Sequence, residues 1–225
     1  NRKLMDLAEQ HNVAIHFNHK CEHIDWSKKE IHFTNTESNS KQIVQQSLIF
    51  GSDGAFSAAR YKAFQKIDGF NFSQNFIADG YREILLPANE DGSYKLDKNA
   101  LHIWPRGKFM LIALANEDGS FTCTLFMPHS GDESAFDKVN TNEEVDAFFK
   151  NTFPDFYQMM PNIADVWEDH PLSSLAIMRS YPWHDGKTAL MGDAAHATVP
   201  FYGQGMNGGF EDCSVMWELM LKHNE

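Results

Sequence analysis

The sequence predicts a mixed fold, an antiparallel α+β middle set between two pieces of one α/β unit. Three observations carry that expectation. Strand candidates over residues 76–126 are separated by short turn-forming clusters, the pattern of an antiparallel meander. Short apolar runs at 47–50 and 188–191 each lead into a turn built of Gly and Asp and then into a helical pattern. A chain of 225 residues with 42% hydrophobic and 22% charged residues has the composition of a globular protein and can bury a sizeable core.

Taken in order, Leu4, Leu7, Ala8 and His11 fall at helical spacing over residues 1–11. Residues 13–17, 20–25 and 30–34 read as short strands, with a turn at 26–29 and a polar loop at 35–41. The strand at 47–50 is followed by a helix over 57–65. In the middle, strands are expected at 76–86, 100–104, 108–114 and 120–126, divided by Asn89-Glu90-Asp91-Gly92, Pro105-Arg106-Gly107 and Asn116-Glu117-Asp118-Gly119. Phe121, Cys123 and Leu125 alternate and so share one face. Helices follow at 143–152 and 154–160, then the strand at 188–191 and a helix over about 208–222. The domain division expected is 1–65 and 177–225 as two parts of one domain, with 66–176 as a second domain. The helical pattern is already running at Asn1 and ends just before Glu225, so a piece of a longer protein is expected.

A formal charge of −12 argues against nucleic acid or an anionic membrane surface as the main partner. No apolar run approaches the roughly 18 to 20 residues that span a bilayer. Three scattered cysteines do not make a disulfide framework and fit a reducing, cytoplasmic setting. His19, Cys21 and His23 alternate on one strand face. Ligands strung along a strand at about 7 Å intervals close poorly around a tetrahedral ion, so no metal is expected.

Two segments carry chemistry. The run Gly192-Asp193-Ala194-Ala195-His196 ends a strand, and Pro200-Phe201-Tyr202-Gly203-Gln204-Gly205-Met206-Asn207-Gly208-Gly209 then opens a helix. Gly203, Gly205 and Gly208 have the spacing of a dinucleotide fingerprint, but no strand directly precedes them and no acidic residue follows at about 20 positions. What remains is physical. Glycines let backbone approach a flat ligand, and a helix N-terminus favours a group that becomes anionic. Asp193 at the strand end is placed to accept hydrogen bonds from a polyol. A tight surface loop with a C-terminal helix is the plainer alternative. The second segment, Gly51-Ser52-Asp53-Gly54-Ala55-Phe56-Ser57-Ala58-Ala59-Arg60, is a strand end, an Asp between glycines, and a Ser suited to cap the next helix. On its own it is equally a plain strand–turn–helix. His196 is read as a structural residue bonding backbone rather than as a base.

Together, in this order and 140 residues apart, the two segments resemble the DG and GD motifs of the class A flavoprotein aromatic hydroxylases, the p-hydroxybenzoate hydroxylase type. The strings Leu101-His102-Ile103-Trp104-Pro105-Arg106, Phe121-Thr122-Cys123-Thr124-Leu125-Phe126-Met127-Pro128 and Gly209-Phe210-Glu211-Asp212-Cys213 are similar to the branch that hydroxylates L-kynurenine. The resemblance covers nearly the whole chain. It implies a partial FAD-binding, Rossmann-like domain with an antiparallel-sheet substrate domain, and an FAD-dependent monooxygenase that uses NADPH and O2. It further implies Asp193 at the FAD ribityl chain and Gly205, Met206 and Asn207 at the isoalloxazine. Asp53 would support FAD and NADPH use, and Cys21 would offer backbone near the adenosine end. Pro200, Phe201 and Tyr202 would lie by the reacting edge of the flavin. Phe121, Met110, Ile112 and Leu114 would line an apolar substrate pocket, with ordinary core packing as their alternative. The family's phosphate loop and its substrate-carboxylate anchors have no counterpart in these residues, so the chain alone is expected to be inactive. Another class A hydroxylase with a different aromatic acid, or a cofactor-free scaffold, are the competing readings.

Overall fold

The computed structural model describes residues 2–25, 28–62, 67–131 and 134–223. The turn expected at 26–29 and the last residues of the helix expected at 57–65 fall partly outside them. The chain divides into two compact units, Asn1–Asn75 with Ala176–Glu225, and Phe76–Leu175.

The first unit opens with α1 (Arg2–Gln10) and a three-stranded antiparallel sheet of β1 (His19–Asp25), β2 (Glu30–Asn35) and β3 (Lys41–Gln45). Residues 13–17, expected as a strand, form none. The positive φ of Asn12 and Asn18 (both 60°) closes the stretch at each end, and Val13 and Phe17 are exposed. The strand β3, not anticipated, is mostly exposed and is held by β2 through Glu30↔Gln45 to Thr34↔Lys41. Then β4 (Ile49–Gly51) leads into α2 (Ala58–Lys62). After the second unit the chain returns with β10 (Thr188–Leu190), α6 (Asp193–His196) and α7 (Gly205–His223). The parallel pairing of β4 with β10 sets Gly51 opposite Leu190. Each strand therefore delivers its Gly/Asp turn from the same end of one small sheet. A tight core of Ile24, Ile31, Ala59, Leu190, Ala194 and Ala195 lies beneath. Gly51 is required there, because a Cβ at that position would come within 2.8 Å of the Ala59 Cβ.

The five-stranded sheet has the order β6-β7-β8-β5-β9; β6 (His102–Arg106), β7 (Phe109–Ala115), β8 (Phe121–Pro128), most of β5 (Asn71–Leu86) and the start of β9 (Ser173–Tyr181) lie in the second unit. Only β6, β7 and β8 form the expected meander. The strand β5 returns beside β8, from Asp79↔Pro128 to Leu86↔Phe121, because residues 87–101 are long enough to carry the chain past β8 and β7 to the far edge. Pro105 lies inside β6 rather than in a turn, which an edge strand tolerates. Within the first unit the start of β5 is tied to α2. Tyr61 donates to Gln74 Oε1 at 2.9 Å, and the Arg60 guanidinium lies 4.5 Å from the Phe72 ring centre.

One face of this sheet is covered by α3 (Asn142–Thr152), α4 (Pro154–Met159) and α5 (Ile163–Val166), which share a core with it through Phe121, Leu125, Phe149, Phe153, Phe156 and Trp167. Burying each such side chain contributes about 1.5–3 kcal/mol. The start of α3 is fixed by a capping box. Glu144 N–H donates to Thr141 Oγ1, and Glu144 Oε2 accepts from the Asn140 and Thr141 N–H groups.

Candidate functional site

The first unit brings the two Gly/Asp turns together. In the Asp53 turn the carboxylate is consumed locally. Its Oδ1 accepts from Ser57 Oγ at 2.5 Å and its Oδ2 from the Ala59 N–H at 3.0 Å. Ser57 Oγ in turn accepts from the Arg60 N–H at 2.9 Å, so Ser57 caps α2 as its sequence position suggests. Arg60 is 1% exposed and reaches both turns. Its Nη2 donates to the Ala55 carbonyl at 2.5 Å, and its Nη1 to the Ala194 carbonyl, 134 residues away, at 2.6 Å. Desolvation by burial lowers the Arg60 pKa, opposed by Tyr61 and by the charge of Asp53. Sequence reasoning quoted Arg60 as part of a motif and gave it no task. Arg60 stands in the middle of the short helix α2, and nothing in the sequence marks it as buried.

The Asp193 turn differs. Gly192 adopts φ 55°, ψ −141°, a conformation open to glycine and strained for any other residue. Asp193 opens α6, is exposed, and makes no side-chain hydrogen bond to another described residue. The positive φ of Gly203 (62°) closes a turn at Pro200–Tyr202 in which Tyr202 is 88% exposed. Helix α7 then starts at Gly205, three residues earlier than expected, with Gly205, Met206 and Asn207 exposed and no acidic side chain in its first turn. The first intrahelical bond is the Gly208 N–H to the Gln204 carbonyl, so the N–H groups ahead of it are open to a ligand. A Cβ on Gly205 would stand 3.9 Å from Asp193 Oδ1, which sets the carboxylate beside the helix start. His196 does not bond backbone through its ring as expected. Its Nε2 lies 2.9 Å from Asp212 Oδ2, and the ring packs 4.9 Å from Trp183.

A flavin nucleotide fits this donor set on the chain's own chemistry. An exposed carboxylate accepts from hydroxyls, three exposed N–H groups at a helix start favour negative charge, and glycines leave room for a flat ring. Cys21 lies in β1, half-buried against the small core, at a register irregularity between Cys21 and His23. That bulge breaks the alternation of His19, Cys21 and His23, and His23 packs its ring 5.6 Å from His32 instead. No group of three or more His, Cys, Asp or Glu among the described residues is arranged to hold a metal.

In the second unit, Met110 and Ile112 are half-buried and Leu114 is 51% exposed, while Leu111 and Ala113 between them are fully buried. The first three therefore face away from the helices. Phe121 is fully buried on the helix-covered side, in register with Ala115 and packed at 5.8 Å against His102 and Tyr94. One pocket cannot be lined by all four, and Phe121 is a core residue of the opposite face.

Known proteins place this arrangement. The profile of the FAD binding domain family matches residues 1–225. Over 224 residues the chain is 47% identical to a kynurenine 3-monooxygenase of Flavobacterium psychrophilum, covering 99% of this chain and 50% of that protein. It is 47% identical to the kynurenine 3-monooxygenase of Dictyostelium discoideum, covering 94% of this chain and 45% of that one. The chain thus spans about half the length of the curated relatives it matches. Among solved structures it is similar to 2-methyl-3-hydroxypyridine-5-carboxylic acid oxygenase in its tetrameric form, with a TM-score of 0.68 and 20% identity over 91% of this chain and 51% of that one. It is also similar to Klebsiella pneumoniae HpxO complexed with FAD and uric acid, with a TM-score of 0.61 and 17% identity over 93% and 50%. These last likenesses concern the fold. No helix among the described residues is long and apolar enough to cross a membrane. By its fold, its paired Gly/Asp turns and a profile match over its full length, the chain belongs to the FAD binding domain family.

Proposed function

We propose that the full-length protein is an FAD-dependent monooxygenase that hydroxylates L-kynurenine at the ring carbon beside its amino group, with NADPH and O2 as co-substrates. One observation carries this: Arg60 joins the Asp53 and Asp193 turns into one cradle. The similarity over nearly the whole chain to kynurenine 3-monooxygenases supports the choice of substrate. FAD when bound supplies the redox and oxygen-activating chemistry. The chain's residues supply position and electrostatics. Asp193 accepts from the ribityl hydroxyls. The N–H groups of Gly205, Met206 and Asn207 favour negative charge on the ring system. Pro200, Phe201 and Tyr202 crowd its reacting edge, and excluding water there suppresses side reactions. Asp53 holds the shape of its own turn, and Cys21 offers backbone to the adenosine end. In the second unit Met110, Ile112 and Leu114 form an outward apolar surface of their own. The three cysteines, all free thiols, favour a reducing, cytoplasmic setting.

The test uses the full-length protein with FAD. NADPH consumption should rise on adding L-kynurenine, with 3-hydroxykynurenine identified by mass. Asp193→Ala should weaken FAD retention by about 1–3 kcal/mol, the scale of a hydrogen bond to a charged group. Stimulation by a different aromatic acid and none by L-kynurenine would overturn the substrate and leave the class. FAD affinity unchanged in Asp193→Ala, read by flavin fluorescence, would overturn the placement of the ribityl chain.

A further inference from the structure

Helix α7 meets the rest of its unit along a narrow stripe. Gly208, Gly209, Asp212, Met216 and Met220 are half-buried, while Phe210, Cys213, Val215, Trp217 and Leu219 are exposed. Asp212 is the charged member of that inward stripe, where an apolar residue would pack at no electrostatic penalty. One of its carboxylate oxygens takes both of its hydrogen bonds. Oδ2 accepts from the Gly192 N–H at 2.6 Å and from His196 Nε2 at 2.9 Å. These two donors bracket α6, one just before its first residue and one on its last. The carboxylate therefore grips both ends of the turn that presents Asp193. Gly192 and Gly209 face each other there, and a Cβ on either would stand in ordinary contact, 3.7 Å from the other's Cα. The ring of His196 is further held by Trp183, whose indole Nε1 donates to the Ser180 carbonyl at 2.7 Å.

We propose that Asp212 and His196 are a positioning pair for the flavin: they lock the start of α7 to the Asp193 turn, so that the helix N–H groups and the Asp193 carboxylate meet one cofactor at a fixed spacing. The inference rests on the FAD reading given above and goes beyond it, because neither residue touches the cofactor. Asp212 bonds backbone at Gly192, whose φ of 55° is set by that turn, and thereby fixes where Asp193 points. An apolar residue at this position would pack the helix against its unit without holding either the Gly192 N–H or the His196 ring.

The experiment is a double-variant cycle on FAD affinity in the full-length protein, read by flavin fluorescence and by the visible spectrum of the bound flavin. Asp212→Leu should loosen FAD by about ten-fold or more and shift the flavin bands. Asp212→Asn keeps an acceptor for Gly192 and should recover most of the affinity. The combination of Asp212→Leu with Asp193→Ala should bind no more weakly than the worse single variant, because Asp212 acts through Asp193. Glu211→Gln, exposed on the same helix, should leave affinity unchanged. Should Asp212→Leu fail to fold, His196→Leu, which removes the ring donor and leaves the Gly192 bond, takes its place in the cycle. Losses that multiply in the double variant, or an Asp212→Leu protein that binds FAD as wild type does with the same spectrum, would overturn the pair. A wild-type protein that takes up no FAD overturns the cofactor reading and the pair with it, and is told apart by the wild-type titration alone.

Discussion

Arg60 offers the sharpest test of how the first unit is held together. Its guanidinium is 1% exposed and donates to two backbone carbonyls, those of Ala55 and Ala194. Replacing it by methionine keeps much of the volume and removes both donors. The two carbonyls then differ in what they lose. Ala55 is half-buried and its carbonyl can regain water, whereas Ala194 is fully buried and its carbonyl is left without a partner. An orphaned buried acceptor costs about 1–3 kcal/mol, and a hydrogen bond from a charged donor is worth about 1.5–3 kcal/mol. Against this stands the relief of a desolvated charge, which lowers the Arg60 pKa and whose Nε lacks a hydrogen-bond partner among the described residues. The contact of the guanidinium with Phe72 at 4.5 Å returns part of that relief. The net expectation for Arg60→Met is a loss of about 2–3 kcal/mol, with Arg60→Lys intermediate because a single ammonium reaches one carbonyl at a time. Urea unfolding followed by far-ultraviolet circular dichroism measures it. An Arg60→Met protein within about 0.5 kcal/mol of wild type would refute the staple.

Further outcomes follow from other sites. Gly80→Ala should destabilise by about 1–3 kcal/mol in the same assay, since its Cβ would lie 2.5 Å from His129 Cε1 and 2.8 Å from the Ser173 carbonyl oxygen, and backbone cannot step aside. Burial pushes the Cys123 thiol up to about 12, while Cys213 is exposed, so a thiol reagent near neutral pH should label Cys213 on the native protein and Cys123 only after unfolding, as read by peptide mass. The Asn140 N–H, then the Thr141 N–H, hold the Glu144 carboxyl below its ordinary value. Its contribution is therefore fully present above the unfolded carboxylate pKa of about 4.3 and is lost as pH falls through the lower folded value. The stability gap between wild type and Glu144→Gln should accordingly shrink on acidification, and a gap constant from about pH 6 to pH 3 would contradict the capping role.

The parts of the fold that were legible in the sequence are those whose instructions are local. The strands β6, β7 and β8 are punctuated by Gly and Asn turns, and Gly107 and Gly119 do adopt positive φ (70° and 90°). Helix α3 announces itself through Thr141 and Glu144. What escaped was encoded at a distance. The strand β9 exists because β5 offers it an edge, and its Ser-Ser-Leu-Ala-Ile-Met-Arg-Ser-Tyr sequence carries no clean alternation. The place of β5 beside β8 depends on how residues 87–101 route the chain. Alternation separated Met110, Ile112 and Leu114 from Leu111 and Ala113, but which set meets the helices is decided by α3 and α4, many residues later.

The same contrast decides between the two aspartates. In sequence they look alike, each at the end of a short strand, each beside a glycine and ahead of a helix. In the folded unit they are not equivalent. Asp53 gives one oxygen to Ser57 and the other to the Ala59 N–H, so both of its strongest acceptor sites are engaged by its own turn before any ligand arrives. A carboxylate in that position shapes backbone, and taking it away loosens α2 and, through Arg60, the neighbouring turn. Asp193 has no such partner among the described residues, because the duty of bracing its turn has passed to Asp212 on another helix. Outsourcing the brace leaves the Asp193 carboxylate exposed beside the start of α7 with its acceptor capacity intact. Of two similar motifs, one organises the cradle and the other is left able to bind, and the difference lies in contacts 16 to 20 residues down the chain rather than in the motifs themselves.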